Sequence, residues 1–371
     1  MSRDYIKKDN NMISFFEILY EKKKRIKRFI PRYMYWKKRL IRPIGSKWVY
    51  IIGCPEYPNL GDNAIQLAMI TFLKQYVALD KKRIVCITEH EFLSDSDVLQ
   101  KCISRKSLLC GIGGGNMGNK YRSEELIRRK MFGLFSTNPI IIFPQTISYE
   151  GKNRILKEQE STAYYSECKD LTIVAREKKS KEKMESLYPS TKIMLTPDIV
   201  LSTLARDYGV FPKVRRGILF CTRSDSEKEI DDSVWNSLRN YVARLGYSYT
   251  NTDMYADTEI RIDTREDCVQ RKMTEFISSE LVITDRLHAM IFSALTETPC
   301  IVFSNNNHKI QGTYEWISYL AYIRYVSSYE EAVALLPELL KMQDNIYDNS
   351  PLRPCFEKLA EEVANKYNNS R

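Results

Sequence analysis

The amino-acid sequence predicts an α/β protein built from two doubly wound, parallel-sheet domains, and three observations carry that prediction. Apolar strands alternate with periodic helices from residue 47 onward, the signature of right-handed βαβ units. The strands read as unbroken Val/Ile/Leu runs, which implies burial on both faces of a parallel sheet. The chain has 371 residues, more than one hydrophobic core usually serves.

The first strand is "KWVYIIGC" (47–54), followed by a polar turn and the helix "DNAIQLAMITFLKQY". Strands follow at "RIVCI" (83–87), "SLLCGIGGG" (107–115) and "PIIIFPQ" (139–145), with a charged helix near 122–135. "DLTIVARE" (170–177) and "KIMLTPD" (192–198) complete the first set. A second series begins at "GILFCTR" (217–223), with a helix near 228–244 and a strand near 247–251. A helix across 264–278 precedes "LVITD" (281–285), a helix from about 287, and "PCIVFS" (299–304). Two more helices are expected at roughly 328–342 and 351–368.

The boundaries that follow are a basic N-terminal extension (1–45), a first Rossmann-like domain (46–204) and a linker (205–216). The second Rossmann-like domain spans 217–345, and the C-terminal helix (346–371) is expected to pack back on the first domain. Ligands in such sheets bind beyond the carboxyl ends of the strands.

The net charge of +10 is unevenly placed. Residues 1–50 hold 15 Lys and Arg against 4 Asp and Glu, while the other 321 residues hold 42 against 43. The body is balanced, so a nucleic-acid-binding core is discounted. Residues 12–42 interleave Met12, Phe15, Phe16 and Leu19, then Tyr33, Tyr35 and Trp36, with basic clusters. That stretch reads as a solvated lead-in helix, a partner-docking segment or a peripheral contact with an anionic membrane. No apolar run approaches the roughly 18 residues of a membrane span, and no signal peptide is evident. Nine scattered cysteines without metal-like spacing suggest reduced thiols in a cytoplasmic protein, with the inner membrane face as a further expectation. No metal is expected.

The unusual residues fall at strand ends. In "YPNLGDNAI", Asn59 and Gly61 favour a tight turn and Asp62 caps the next helix, leaving amides that suit an anion or hydroxyl. In "GIGGGNMGN" (111–119), Gly113, Gly114 and Gly115, with Asn116 behind them, allow close backbone approach to a ligand. No GK[ST] follows, so the stretch is not a P-loop. Gln145 and Thr146 in "FPQTISYE" suit a sugar hydroxyl. Arg176 in "VAREKKS" ends a buried strand and needs an anion or a carboxylate, Asp198 being one candidate. Arg286 and His288 flank the turn from "LVITD" into an apolar helix, where a guanidinium fork and an imidazole suit a phosphate or carboxylate. His308 and Lys309, in "FSNNNHKIQGTYEW", extend that basic set.

Together "NLGDNAI", "GIGGGN", "FPQT", "AREKKS", "TPD" and "DRLHAM" resemble the polysaccharide pyruvyl transferase family, in order and spacing, over roughly residues 48–320. The resemblance implies a GT-B-like arrangement of the two domains. It also implies transfer of a pyruvyl group from phosphoenolpyruvate to sugar hydroxyls of a cell-surface polysaccharide, giving a cyclic ketal. By the resemblance Arg286 and His288 match the donor-binding motif, Arg176 matches an arginine motif, and Asn59, Asp62 and the 113–115 glycines match N-terminal signatures. The expected donor set is therefore Arg176, Arg286, His288 and Lys309. His288, Arg286 and Asp62 are the expected catalytic residues, with Asp285 an alternative base. Asn59, Gly61, Gly113, Gly114, Gly115, Asn116 and Gln145 form the acceptor and loop set. The expected partners are phosphoenolpyruvate and a lipid-linked glycan, with no cofactor. The rival readings are a glycosyltransferase of the same fold using a nucleotide sugar, and a non-catalytic assembly partner.

Overall fold

The computed structural model describes residues 22–40, 47–225, 228–304 and 308–369. Within them the chain folds as two parallel sheets flanked by helices. The first sheet contains β1 (Val49–Cys54), β2 (Ile84–Thr88), β3 (Leu108–Gly111), β4 (Gly114–Gly118), β5 (Ile140–Ser148), β6 (Leu171–Ala175) and β7 (Lys192–Leu195). Its order is β2-β1-β3-β5-β6-β7, with β4 beside β5. The second contains β8 (Ile218–Cys221), β9 (Tyr249–Thr252), β10 (Leu281–Thr284), β11 (Cys300–Phe303) and β12 (Ile323–Val326), ordered β12-β11-β10-β8-β9. Strands β1, β3, β6, β8, β10 and β11 are buried along their whole length, as their uninterrupted apolar runs require.

A helix at 22–39 (α1) precedes the first sheet. The connections of the first lobe are α2 (Leu60–Gln75), α3 (Glu89–Cys102), α4 (Arg122–Leu134), α5 (Arg154–Ser166) and α6 (Lys178–Leu187). Those of the second are α7 (Asp232–Arg244), α8 (Arg265–Ile277), α9 (Leu287–Leu295), α10 (His308–Ile317) and α11 (Tyr329–Leu339). Helix α12 (Arg353–Asn369) ends the described chain. It lies on the first lobe, where Glu362 accepts from Thr172 (2.6 Å) and Lys192, and Lys366 donates to the Asp170 carbonyl (2.9 Å). The two lobes face each other across a cleft in a GT-B-like arrangement. One apolar cluster, containing Met69 and Phe72 of α2, Met273 and Phe276 of α8 and Phe292 of α9, runs between them.

Two elements depart from the sequence expectation. The glycine-rich stretch read as loop contains β4, because Gly114 and Met117 pair with Gln145 and Ile147 of β5 despite the low strand propensity of glycine. The polar stretch after β11 becomes α10, because Ile310, Thr313 and Ile317 recur at helical spacing and are buried. Residues 12–21 and 41–42 of the basic stretch lie outside the described residues.

Candidate active site

The facing carboxyl ends of the two sheets enclose a cavity of about 280 Å³. One wall comes from the turn between β1 and α2. Asn59 caps α2 by accepting from the Gly61 amide (3.0 Å), and its side-chain amide donates to Asp62 Oδ2 (2.8 Å). The Tyr57 hydroxyl donates to the same oxygen (3.1 Å). Across the cleft, Leu60 donates to the Met254 carbonyl (2.8 Å) and Ala256 to the Pro58 carbonyl (2.9 Å), so a loop of the second lobe clamps this turn. Burial pushes the Asp62 carboxyl above its ordinary range, with His288, Tyr57 and Arg176 pulling partly the other way.

Arg176 closes β6 and serves two purposes at once. Its Nη1 holds Asp198 (2.9 Å) and its Nε donates to Thr146 Oγ1 (2.7 Å). Its Nη2 abuts Gly115, where an added Cβ would lie 2.8 Å away. Arg176, Gly115 and Asn116 all line the cavity. Asn116 is held there by Arg128, which donates to its Oδ1 (2.9 Å) and its carbonyl (2.6 Å).

His288 enters from the first turn of α9, with Nε2 3.6 Å from Asp198 Oδ2, just beyond hydrogen-bond distance. A Cβ on Gly61 would stand 2.3 Å from its Nδ1, so only glycine lets the imidazole seat against α2. Burial would lift the Asp198 carboxyl, but His288, Arg176 and the Val200 amide outweigh it and hold it at about 2. Lys309, in the first turn of α10, also lines the cavity.

Three expectations are corrected. Arg286, expected to clasp the donor, is only 5% exposed and is not among the residues lining the cavity. Its Nε and Nη2 donate to Asp253 (both 2.7 Å) and its Nη1 to Asp225 (2.7 Å), so its charge is already matched inside the second lobe. Its guanidinium also sits over the Tyr255 ring, 5.3 Å from the centroid, and Tyr255 is a cavity wall. Arg286 therefore braces that wall from behind rather than lining the cavity. Gln145, expected to meet a sugar, is fully buried and donates to the Ile112 carbonyl (2.6 Å), bracing the break between β3 and β4. Asp285, the alternative base, accepts from the Arg223 amide (2.8 Å) and is likewise not in the lining. Gly113 and Gly114 back the wall against Ile65, and His308 turns to Glu177 (3.3 Å).

A family model described as polysaccharide pyruvyl transferase matches residues 59–307, about two thirds of the chain. The chain belongs to the polysaccharide pyruvyl transferase family. It is 33% identical over 310 residues to General stress protein 30 of Bacillus subtilis, covering 81% of this chain and 88% of that protein. It is 27% identical over 281 residues to Pyruvyl transferase 1 of Schizosaccharomyces pombe, covering 71% of this chain and 67% of that one. Among solved structures, an uncharacterized Klebsiella pneumoniae protein shares the fold with a TM-score of 0.52 at 19% identity, over 76% of this chain and 94% of that chain.

In this member of the polysaccharide pyruvyl transferase family, the cavity also contains residues that sequence reasoning passed over. Arg223 lines it from the end of β8, and the criterion that found Arg176, an arginine closing a buried strand, would have found it too. Tyr57 lay inside a motif already singled out. Tyr121, Glu124 and Tyr255 carry no local signal, since their place depends on which loops meet. Glu89, the first residue of α3, borders a small adjoining cavity with Glu124. Burial, with Glu124 and Asp62 nearby, pushes the Glu89 carboxyl up to about 8. Among the described residues no group of three or more His, Cys, Asp or Glu is placed to hold a metal ion.

Proposed function

We propose that the protein transfers a pyruvyl group from phosphoenolpyruvate to two hydroxyls of a polysaccharide or its lipid-linked precursor, closing a cyclic ketal and releasing phosphate. One observation carries this reading. The cavity sets Arg176, Arg223, His288 and Lys309 opposite Asp62, Tyr57 and Glu124. Phosphoenolpyruvate bears a carboxylate and a phosphate, which suit several cations. Sugar hydroxyls suit a carboxylate and a phenol.

Protonation of the methylene carbon makes C2 of the donor electrophilic. One sugar hydroxyl attacks C2 as Asp62 takes its proton, phosphate departs along the basic wall, and the second hydroxyl closes the ring. Of the two hydroxyl protons, one balances that gained by the new methyl group and the other leaves on phosphate. His288 is the proton carrier, with anionic Asp198 balancing its charge whenever it holds a proton. A buried Asp62 whose pKa is raised is a stronger base than an ordinary carboxylate.

The test is incubation with phosphoenolpyruvate and a diol-bearing glycan, reading phosphate release and ketal formation. His288→Ala should lower kcat by about 100-fold or more with an unchanged melting temperature. Release of nucleoside diphosphate from a sugar nucleotide, with no phosphate from phosphoenolpyruvate, overturns the reading in favour of glycosyl transfer.

A further inference from the structure

Helix α1 binds the first lobe by one face. Trp36 is fully buried and donates from Nε1 to Asp95 Oδ2 (2.7 Å). Arg32 pairs with Asp95 and Asp97 (both 3.1 Å), and Arg39 pairs with Glu91. All these acceptors lie on α3. The opposite face carries Ile26, Ile30 and Met34, four residues apart and 55%, 53% and 60% exposed. Lys23, Lys27, Lys37 and Lys38 are exposed on the same helix; at 100° per residue Lys37 and Lys23 project between the three apolar side chains, and Lys27 and Lys38 lie just beyond Met34. Residues 22–39 hold ten Lys and Arg and no Asp or Glu. On the docked side, Arg25, Arg28 and Arg32 line an open groove of about 460 Å³ with Ile26, Phe29 and Asp97 of α3.

We propose that α1 is an interfacial helix that seats the protein on an anionic membrane surface. Ile26, Ile30 and Met34 enter the headgroup boundary, and the surrounding lysines meet lipid phosphates. Charge complementarity selects this occupant. A second copy of the chain would bring two lysine-rich faces together. A nucleic acid would match the charge but leave the apolar stripe unused. Among the described residues no helix is long and apolar enough to cross a membrane, so the contact lies in the plane of the surface. The Arg39 end of α1 pairs with Glu91, two residues from Glu89.

Co-sedimentation of the full chain with phosphatidylcholine vesicles, with and without phosphatidylglycerol, tests this. Binding is expected only with the anionic lipid, weakening as salt rises. The exposed-face variant I26E/I30E/M34E should bind more than about tenfold less. Lys23→Ala, Lys27→Ala and Lys38→Ala should each cost about fivefold, and all variants should melt as the parent does. Vesicle binding unchanged in I26E/I30E/M34E overturns the proposal. So does salt-sensitive RNA binding in the absence of vesicle binding, or a dimer that the same triple variant dissociates.

Discussion

Arg286 shows how much a single side chain's role depends on its partners. A guanidinium buried with two carboxylates is a matched group, and removing it strips Asp253 of its counter-charge and leaves Asp225 paired with Arg223. Burial alone would lower its pKa, but Asp253 and Asp225 outweigh that and raise it, so the group stays charged. Arg286→Ala should therefore destabilise the fold by about 3 kcal/mol, toward the lower end for a buried pair because Asp225 is partly exposed. Thermal or denaturant melts check this. An undisturbed melt combined with weakened phosphoenolpyruvate affinity would return Arg286 to the donor pocket. His288 has the opposite character, since it lines the cavity and its loss should remove turnover without loosening the core. The sequence placed both residues correctly at the turn after β10, but only one of them looks outward. Nothing within a few residues of Arg286 says that Asp253 and Asp225 will reach it.

At the scale of elements, α3 ties a helix terminus to the acidic side of the site. Its N-cap is a reciprocal capping box between Thr88 and Glu91, and acidic residues in a first turn are ordinarily favoured by the helix dipole. Glu89 occupies that turn, yet burial beside Glu124 and Asp62 holds it near 8. In the unfolded chain it ionises near 4.5, so its protonated form stabilises the fold fully below that pH. That contribution is lost progressively as pH rises from about 4.5 to about 8. Glu89→Gln should flatten this decline, so the variant gains thermal stability relative to the parent at pH 8 and gains little at pH 4. Melting curves across that range decide it, and parallel pH profiles for the two proteins would count against a protonated Glu89. Helix α10 teaches a related lesson. Its polar, glycine-containing sequence reads as loop, and it is helical because three inward residues pack against the second lobe.

For the whole molecule, the two lobes act as one site because particular groups stitch them. Arg265 of α8 is 1% exposed, donates from Nε to Asn63 Oδ1 (2.5 Å) and also binds the Pro55 carbonyl. Both acceptors flank the Asn59–Asp62 turn that supplies the acidic wall. Arg265→Ala leaves those buried acceptors unmade, at about 1–3 kcal/mol, and lets the cleft gape. A melting temperature lower by a few degrees and a raised KM for both substrates are expected. A variant with the parent's melt and KM would show that the lobes are held together elsewhere.

The sequence by itself determined the alternation of buried strands and helices, the two-sheet architecture, the basic α1 and the strand ends where unusual residues collect. Those features follow from periodicity and turn chemistry acting over a few residues. Only the tertiary structure decided that Arg176 divides its nitrogens between Asp198 and the cavity, that Arg286 is already satisfied, and that Tyr255 meets the Asn59 turn. Each of those depends on groups between about 20 and 200 positions apart. Charge pairing and burial depend on distance in space, and distance in space exists only once the sheets have closed on each other.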